Sequence, residues 1–213
     1  MGRNKGREYR LFDANIELRN GDEVGEDTYI VEGYASTFDP YVLFTDEDGQ
    51  EYKEQIDKDA FKDADMSDVV LRVDHEGMVF ARTSNKRIEL STDDHGLKIR
   101  ADLSATADAR NLYEHIKAGD YPKMSFAFTV PEGGDEYSPK AHTRTIKQIA
   151  KVFDISPVSF PANPGTELDI ATRDYFNGVI EAEKAERLEA GRMERKKKIN
   201  MLYRKLLLSK MEV

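Results

Sequence analysis

Residues 123–128 read Lys-Met-Ser-Phe-Ala-Phe and alternate large apolar side chains with small ones. Alternation with a period of two is typical of a β-strand that packs one face against a core. The large side chains then share the core face, and Ser125 shares the opposite face with Ala127. A nucleophilic serine needs open space beside it for a substrate carbonyl, and a small neighbour leaves that space. A strand serine is most often structural, so this stretch alone leaves both interpretations open.

His75 ends a second strand-like stretch, at residues 67–75. It falls on the same face as Val69, Leu71 and Val73 at period two. An unperturbed imidazole titrates near neutral pH, which suits a general base. The alternative is a histidine that packs at the strand end and bonds to backbone.

Asp154 interrupts the otherwise apolar run at residues 149–158. A carboxylate beside core positions must be exposed at an edge or paired. If paired with His75, it would fix the imidazole tautomer and stabilise the imidazolium, which makes a nucleophile, a base and an acid available. The chain has no Gly-x-Ser-x-Gly turn, so an α/β-hydrolase is not supported.

The bulk composition limits the class of protein. The chain has 213 residues, 39% hydrophobic and 34% charged, which fits one sizeable domain with a small appendage. No apolar run reaches the roughly 20 residues of a membrane span, and no secretory signal is visible, so we expect no membrane partner. With no cysteine there is no disulfide, thiolate zinc site or cysteine nucleophile, and the chain suits a reducing cytoplasm. The histidines show no metal-ligand spacing and no loop resembles a phosphate cradle, so we expect no metal and no cofactor.

The charge is unevenly distributed along the chain. The net charge is −9, yet residues 179–213 carry a net +4, which leaves −13 on the remainder. An acidic body disfavours nucleic acid as a partner. The basic tail indicates contact with something acidic, such as another protein.

The pattern along the chain predicts many short strands and few helices. Thr106 and Gly119 bound a predicted helix at 107–118. A second helix is predicted at 166–176, an interruption at Gly178, and a long charged helix at 179–209. Residues 39–52 and 132–138 are predicted as loops, and Gly96 as a turn glycine with positive φ. Strands are predicted near 8–12 and at 28–38, 67–75, 78–83, 87–91, 97–103, 123–130, 143–153 and 158–160.

Four segments in order resemble the phage prohead, or capsid-maturation, serine protease family, whose fold is similar to herpesvirus assemblin. They are residues 31–38 (VEGYASTF), 73–76 (VDHE), 123–128 (KMSFAF), and 154–164, which run from Asp-Ile-Ser into Pro-Ala-Asn-Pro. Residues 57–61 match a further element loosely. Ala127 stands where a glycine is common in the family, and Asp154 where a glutamate is common.

The resemblance implies a mostly β fold with helices: an assemblin-like closed antiparallel β-barrel, surrounding helices and a long C-terminal helix. It divides the chain into an N-terminal extension at 1–27, a protease barrel domain at 28–176 and a charged helix at 177–213. It implies a serine-type endopeptidase with the triad Ser125, His75 and Asp154. The oxyanion would be held by backbone N–H groups, and by Arg82 or Arg144 as guesses.

The resemblance also implies partners. The substrates would be the scaffold or the scaffolding segment of the major capsid protein, and the protease itself by autocleavage. The reaction would occur in the host cytoplasm, inside the assembling procapsid, and we expect a homodimer. One alternative is a catalytically silent capsid assembly or scaffold protein on the same fold, which the long charged helix favours. Another is a metal-dependent hydrolase, which the absence of metal-ligand spacing among the histidines disfavours.

Overall fold

The computed structural model describes residues 6–13, 17–19, 29–46, 48–159 and 170–211. The chain falls into two compact units, residues 1–171 and residues 172–213. The predicted boundary at 27/28 lies outside the described residues, and the predicted one at 176/177 stays a prediction.

The described residues of the first unit form short strands and one regular α-helix, α1 (Ala107–Ala118), with a single turn of 3₁₀ helix at Thr83–Asn85. The strands are β1 (Glu8–Asp13), β2 (Glu17–Arg19), β3 (Ile30–Thr37), β4 (Tyr41–Thr45), β5 (Glu51–Ile56), β6 (Val70–Val73), β7 (Glu76–Arg82), β8 (Ile88–Thr92), β9 (Gly96–Asp102), β10 (Lys123–Thr129), β11 (Asp135–Ser138), β12 (Thr143–Ile146) and β13 (Lys151–Val158).

These strands form three sheets. The β10 sheet has the order β1-β10-β13-β6-β7, the β3 sheet β2-β3-β9-β8, and the β5 sheet β11-β12-β5-β4. Most pairs are antiparallel, but β13 pairs with β6, and β12 with β5, in parallel. The predicted mostly β class with helices is thus confirmed. Among the described residues no sheet closes on itself, so the predicted closed barrel is unconfirmed.

The core lies on the apolar faces of the three sheets and under α1. Phe126 and Phe128 of β10 are fully buried and their rings stack at 4.6 Å between centroids. Further buried members from the three sheets and α1 are Ile56, Leu71, Leu97, Ile99, Leu112, Ile116, Ile146, Val152 and Ile155. The large residues of β10 therefore occupy the core face, as their alternation predicts.

The predicted loop at 39–52 was wrong, because a hairpin of β4 and β5 occupies it. The Phe44 ring stacks on that of Tyr52 at 4.8 Å. The acidic character is concentrated in the turn, where Asp46 Oδ1 accepts from the backbone N–H groups of Asp48 and Gln50. The apolar residues of β4 and β5, on either side of that turn, form the two strands of the hairpin.

The predicted strand at 143–153 is two strands, β12 and β13, separated by residues 147–150. Here the chain leaves the β5 sheet and enters the β10 sheet. The backbone N–H groups of Lys147 and Gln148 both donate to Gly134 O, and that of Ile149 donates to Ala60 O. These hydrogen bonds satisfy the crossing backbone outside any sheet. The predicted loop at 132–138 likewise contains β11.

The sequence signals at the turns gave mixed results. Thr106 caps α1 by accepting from Ala109 N, and Gly119 ends the helix at φ 85°, both as predicted. Gly96 lacks the predicted positive φ. A Cβ there would lie 1.9 Å from the carbonyl oxygen of Ser36, so close approach of β3 and β9 explains the glycine.

The described residues of the second unit, 172–211, belong to one helix, α2 (Ile170–Met211). The helix continues through Gly178, so the predicted interruption was wrong. A glycine costs a helix only about 1 kcal/mol relative to alanine, which a long helix tolerates. Exposed ion pairs at helical spacing support it, for example Lys198 with Glu194 at 3.3 Å. The predicted start at 166 lies outside the described residues.

Candidate active site

The polar face of the β10 sheet is set by the register of β10 and β13. Ser125 lies opposite Ser156, and Ala127 lies opposite Asp154. Directly opposed residues share a face of a sheet. The period-two pattern that buries Phe126 therefore also brings a hydroxyl of one strand beside a carboxylate of the next.

His75 occupies the tight turn between β6 and β7, where Val73 pairs with Glu76. Asp74 and His75 have φ of 49° and 60°, the left-handed conformations that a two-residue type I′ turn needs. Non-glycine residues in this region cost of order 1–3 kcal/mol each and persist only where their surroundings hold them.

Asp74 ties this strained turn to the end of β13. Its carboxylate accepts from the backbone N–H and the hydroxyl of Ser159, each at 2.9 Å. Its own N–H donates to the carbonyl of Pro157 at 3.1 Å. The turn is therefore fixed against the strand that carries Asp154, and His75 projects over the polar face.

The three predicted catalytic side chains form one hydrogen-bonded chain. His75 Nδ1 lies 2.5 Å from Asp154 Oδ1, and His75 Nε2 lies 2.7 Å from Ser125 Oγ. Asp154 is 3% exposed, whereas His75 keeps 18% of its side chain open to solvent. With the proton on Nδ1, the imidazole donates to the carboxylate and accepts from the serine hydroxyl. This is the arrangement of nucleophile, base and orienting acid.

The buried carboxylate of Asp154 has further partners. The hydroxyl of Ser156 donates to Oδ1 at 2.9 Å, and Arg7 Nη1 lies 3.9 Å from Oδ2. A buried carboxylate needs several donors to remain ionised. Sequence reasoning missed Ser156, although its position two residues after Asp154 places it on the same strand face.

Tyr9 is a second contact that the sequence did not reveal. It lies in β1 opposite Ala127, and its ring meets the His75 ring edge-to-face at 4.7 Å between centroids. Edge-to-face pairs of this kind are favourable by about 0.5–1.5 kcal/mol beyond area burial.

The two arginines suggested for the oxyanion lie in other surroundings. Arg82 makes an exposed bidentate pair with Asp68, at 2.7 and 3.0 Å. Arg144 is buried and its guanidinium donates to Glu8, Glu54 and Asp135. The oxyanion role of both stays a prediction, and these contacts give it no support.

Arg144 belongs to a buried ion cluster that joins β1 to the β5 sheet. Arg10 Nε and Nη2 donate to Glu54 at 2.5 and 2.8 Å, and Nη2 donates to Glu8 at 2.6 Å. The Tyr41 hydroxyl donates to Glu54 at 2.5 Å. The members of the buried ion cluster are Glu8, Arg10, Tyr41, Glu54, Asp135 and Arg144.

The cluster changes the titration of its members. Burial alone would raise the pKa of Glu8, but the charge of Arg10 and the hydrogen bonds from Arg144 outweigh it and lower that pKa to about 2. Burial and the negative charge of Glu54 raise the pKa of Tyr41 well above its ordinary value. The Glu8 carboxylate therefore stays ionised and Tyr41 stays a donor at neutral pH.

The remaining histidines contact neither Ser125 nor Asp154 in the described structure. His115 pairs with Asp120 at 2.7 Å on the surface, and His142 stacks edge-to-face on Tyr52. Within the described ranges, no three histidine or carboxylate side chains are grouped so as to hold a metal ion. None of the described helices combines the length and apolar character that crossing a membrane requires.

Comparison with known proteins gives one match. The model of the caudovirus prohead serine protease family matches residues 14–178. No curated protein and no solved structure matches the chain. The matched range contains Ser125, His75 and Asp154, and it spans most of the chain. The chain therefore belongs to the caudovirus prohead serine protease family, as its resemblance predicted.

Proposed function

We propose that this chain is a serine endopeptidase of procapsid maturation in which Ser125 is the nucleophile, His75 the general base and acid, and Asp154 the orienting carboxylate. Family membership supports a capsid maturation protease. The single observation that carries the residue assignment is the chain of hydrogen bonds from Ser125 Oγ through both nitrogens of His75 to Asp154.

The steps follow from this geometry. The Ser125 hydroxyl proton moves to His75 Nε2 while Oγ forms a bond to the scissile carbonyl carbon. The tetrahedral intermediate collapses, the C–N bond breaks, and Nε2 gives its proton to the leaving amine. Water then attacks the acyl carbon and loses a proton to Nε2. The bond between that carbon and Ser125 Oγ breaks, and Nε2 returns the proton to Oγ. Asp154 stabilises the imidazolium in each half-reaction.

We assign no step to Arg82 or Arg144. Both guanidinium groups are occupied by carboxylates, and a buried arginine freed from its partners would leave uncompensated charges behind. Backbone N–H groups near Ser125 are the remaining candidates to hold the oxyanion.

The proposed substrates are the scaffold or the scaffolding segment of the major capsid protein, and the protease itself. Confinement inside the procapsid in the host cell would bring enzyme and substrate to high local concentration. The net +4 of residues 179–213 suits docking to an acidic scaffold segment. We also propose a homodimer, which rests on the resemblance to assemblin-like enzymes.

Intact-mass analysis over time, with wild type beside Ser125→Ala, tests this function. Each protein is incubated alone and with the major capsid protein or scaffold. The proposal predicts trimmed chain or cleaved capsid protein with wild type only. Stable masses in both proteins, with capsid protein present, would contradict it and indicate a catalytically silent assembly protein.

A further inference from the structure

Arg72 lies on the same face of the β10 sheet as the catalytic side chains. In the parallel pair of β13 and β6, Asp154 lies opposite Val70, and Ile155 lies opposite Leu71. Leu71 and Ile155 belong to the core face. The next position of each strand, Arg72 and Ser156, therefore returns to the face that carries Asp154.

Arg72 differs from the other arginines around the site in its hydrogen bonding. Its Nε is buried and has no hydrogen-bond partner among the described residues. Arg10 and Arg144, by contrast, are each held by carboxylates. A buried donor without an acceptor is unfavourable, so an incoming anion would gain from occupying it.

The position of Arg72 suits a group bound close to the scissile bond. Adjacent strands are about 4.8 Å apart, so the Arg72 backbone lies roughly 10 Å from that of Ser125, with β13 between them. A long arginine side chain covers much of that span. The carboxylate of Asp154 is already engaged by His75 and Ser156, so it does not compete for the guanidinium.

We propose that Arg72 binds a carboxylate side chain of the peptide substrate beside the scissile bond, so that the protease selects aspartate or glutamate there. A guanidinium presents two parallel N–H donors that match the two oxygens of a carboxylate. The amide of glutamine has only one oxygen and cannot accept both hydrogen bonds. This specificity rests on the proposed function, because it requires a peptide held at Ser125.

Tripeptide phosphonates that react with a catalytic serine test this inference. Paired probes differ only by glutamate or glutamine, placed in turn at each of the three positions. The labelling rate of Ser125 is measured by mass spectrometry for wild type, Arg72→Gln, Arg72→Lys and Arg72→Glu. Arg100→Gln is the matched control, because Arg100 is a half-exposed arginine of the β3 sheet paired with Glu32.

Wild type should react faster with the glutamate probe at one position, on the order of tenfold or more. Arg72→Gln should lose this ratio, Arg72→Lys should keep part of it, and Arg100→Gln should retain it. Arg72→Glu should invert the ratio, so that the glutamine probe reacts faster than the glutamate probe. Partial unfolding of a variant would lower the glutamate and glutamine labelling rates by the same factor and leave their ratio unchanged. A destabilised variant would therefore not show the predicted loss of preference.

Three results would overturn the inference. Equal rates for both members of every pair in wild type would show no acidic preference. A preference for the glutamate probe that survives in Arg72→Gln would mean that another residue causes it. Failure of every probe to label Ser125 would instead overturn the proposed function, and the specificity would fall with it.

Discussion

The molecule contains two buried polar networks of opposite character, and β1 contacts both. The buried ion cluster contains charges of both signs in mutual contact, and its charged side chains are at most 8% exposed. The face that carries Ser125 holds one carboxylate, two hydroxyls and an imidazole that is 18% exposed. The ion cluster forms its hydrogen bonds among its own members. The Ser125–His75–Asp154 network includes an imidazole, a group that can donate and accept a proton.

The alternation of β1 divides its side chains between these networks. Glu8 and Arg10 belong to the ion cluster, whereas Arg7 and Tyr9 contact Asp154 and His75. One short strand thus contacts both the ion cluster and His75, the proposed general base. Buried polar groups therefore serve two purposes in this fold: ion pairs hold β1 to the β5 sheet, and we propose that the hydrogen-bonded hydroxyl and imidazole perform the chemistry.

The largest expected effect comes from breaking the catalytic network at its acid. Asp154→Asn should lower kcat by about 10⁴, because an amide favours the wrong tautomer of His75. A peptide cleavage assay measures this, and the melting temperature should show the variant folded. Activity within tenfold of wild type would mean that Asp154 does not orient the base.

Breaking the ion cluster should instead act on stability. Glu54→Gln replaces the buried carboxylate that accepts from Arg10, Arg144 and Tyr41 with an amide, which has only one oxygen to accept with. It should lower the free energy of unfolding by about 3–5 kcal/mol. Urea denaturation measures this. Asp68→Asn, which breaks only the exposed pair with Arg82, is the control and should cost about 1 kcal/mol or less. Equal losses of unfolding free energy in Glu54→Gln and Asp68→Asn would show that the buried cluster contributes no more to stability than the exposed pair.

The ion cluster also predicts a pH dependence. The pKa of Glu8 is about 2 in the folded protein against an ordinary 4.5, so the unfolded chain binds more protons between these values. The stability from Glu8 is therefore complete above about pH 4.5 and is lost as the pH falls towards 2. Urea unfolding of wild type and Glu8→Gln at pH 6, 4 and 3 should show a shallower decline in the variant. Parallel curves would contradict the assignment.

The smallest expected effect sharpens the role of Ser156. Ser156→Ala removes one donor from Asp154 and should lower kcat about tenfold, with KM unchanged. Loss of activity comparable to Ser125→Ala would mean that Ser156 takes part in the chemistry itself.

The sequence carried the catalytic segments because their patterns are local. The alternation around Ser125, the strand before His75 and the apolar run broken by Asp154 can each be read within ten residues. Strand register cannot, since Ser125 and Ser156 become neighbours only when β10 pairs with β13. Ser156, Tyr9 and Arg72 were missed for that reason.

The ion cluster was missed for the same physical cause. Arg144 contacts Glu8 across 136 positions of sequence, and Arg10 contacts Glu54 across 44. In a chain that is 34% charged, no local pattern distinguishes a buried arginine from an exposed one. The carboxylates that bind Arg144 are distant in sequence, so its pairing with them could not be predicted when it was suggested for the oxyanion.

The most direct test of the central claim is to map the site of a single fluorophosphonate adduct by peptide mass spectrometry. Wild type and Ser156→Ala should carry one adduct, on Ser125, and Asp154→Asn should acquire it much more slowly. Ser125→Ala should acquire none. An adduct on Ser156 or another serine, or labelling that persists in Ser125→Ala, would contradict the assignment of Ser125 as the nucleophile.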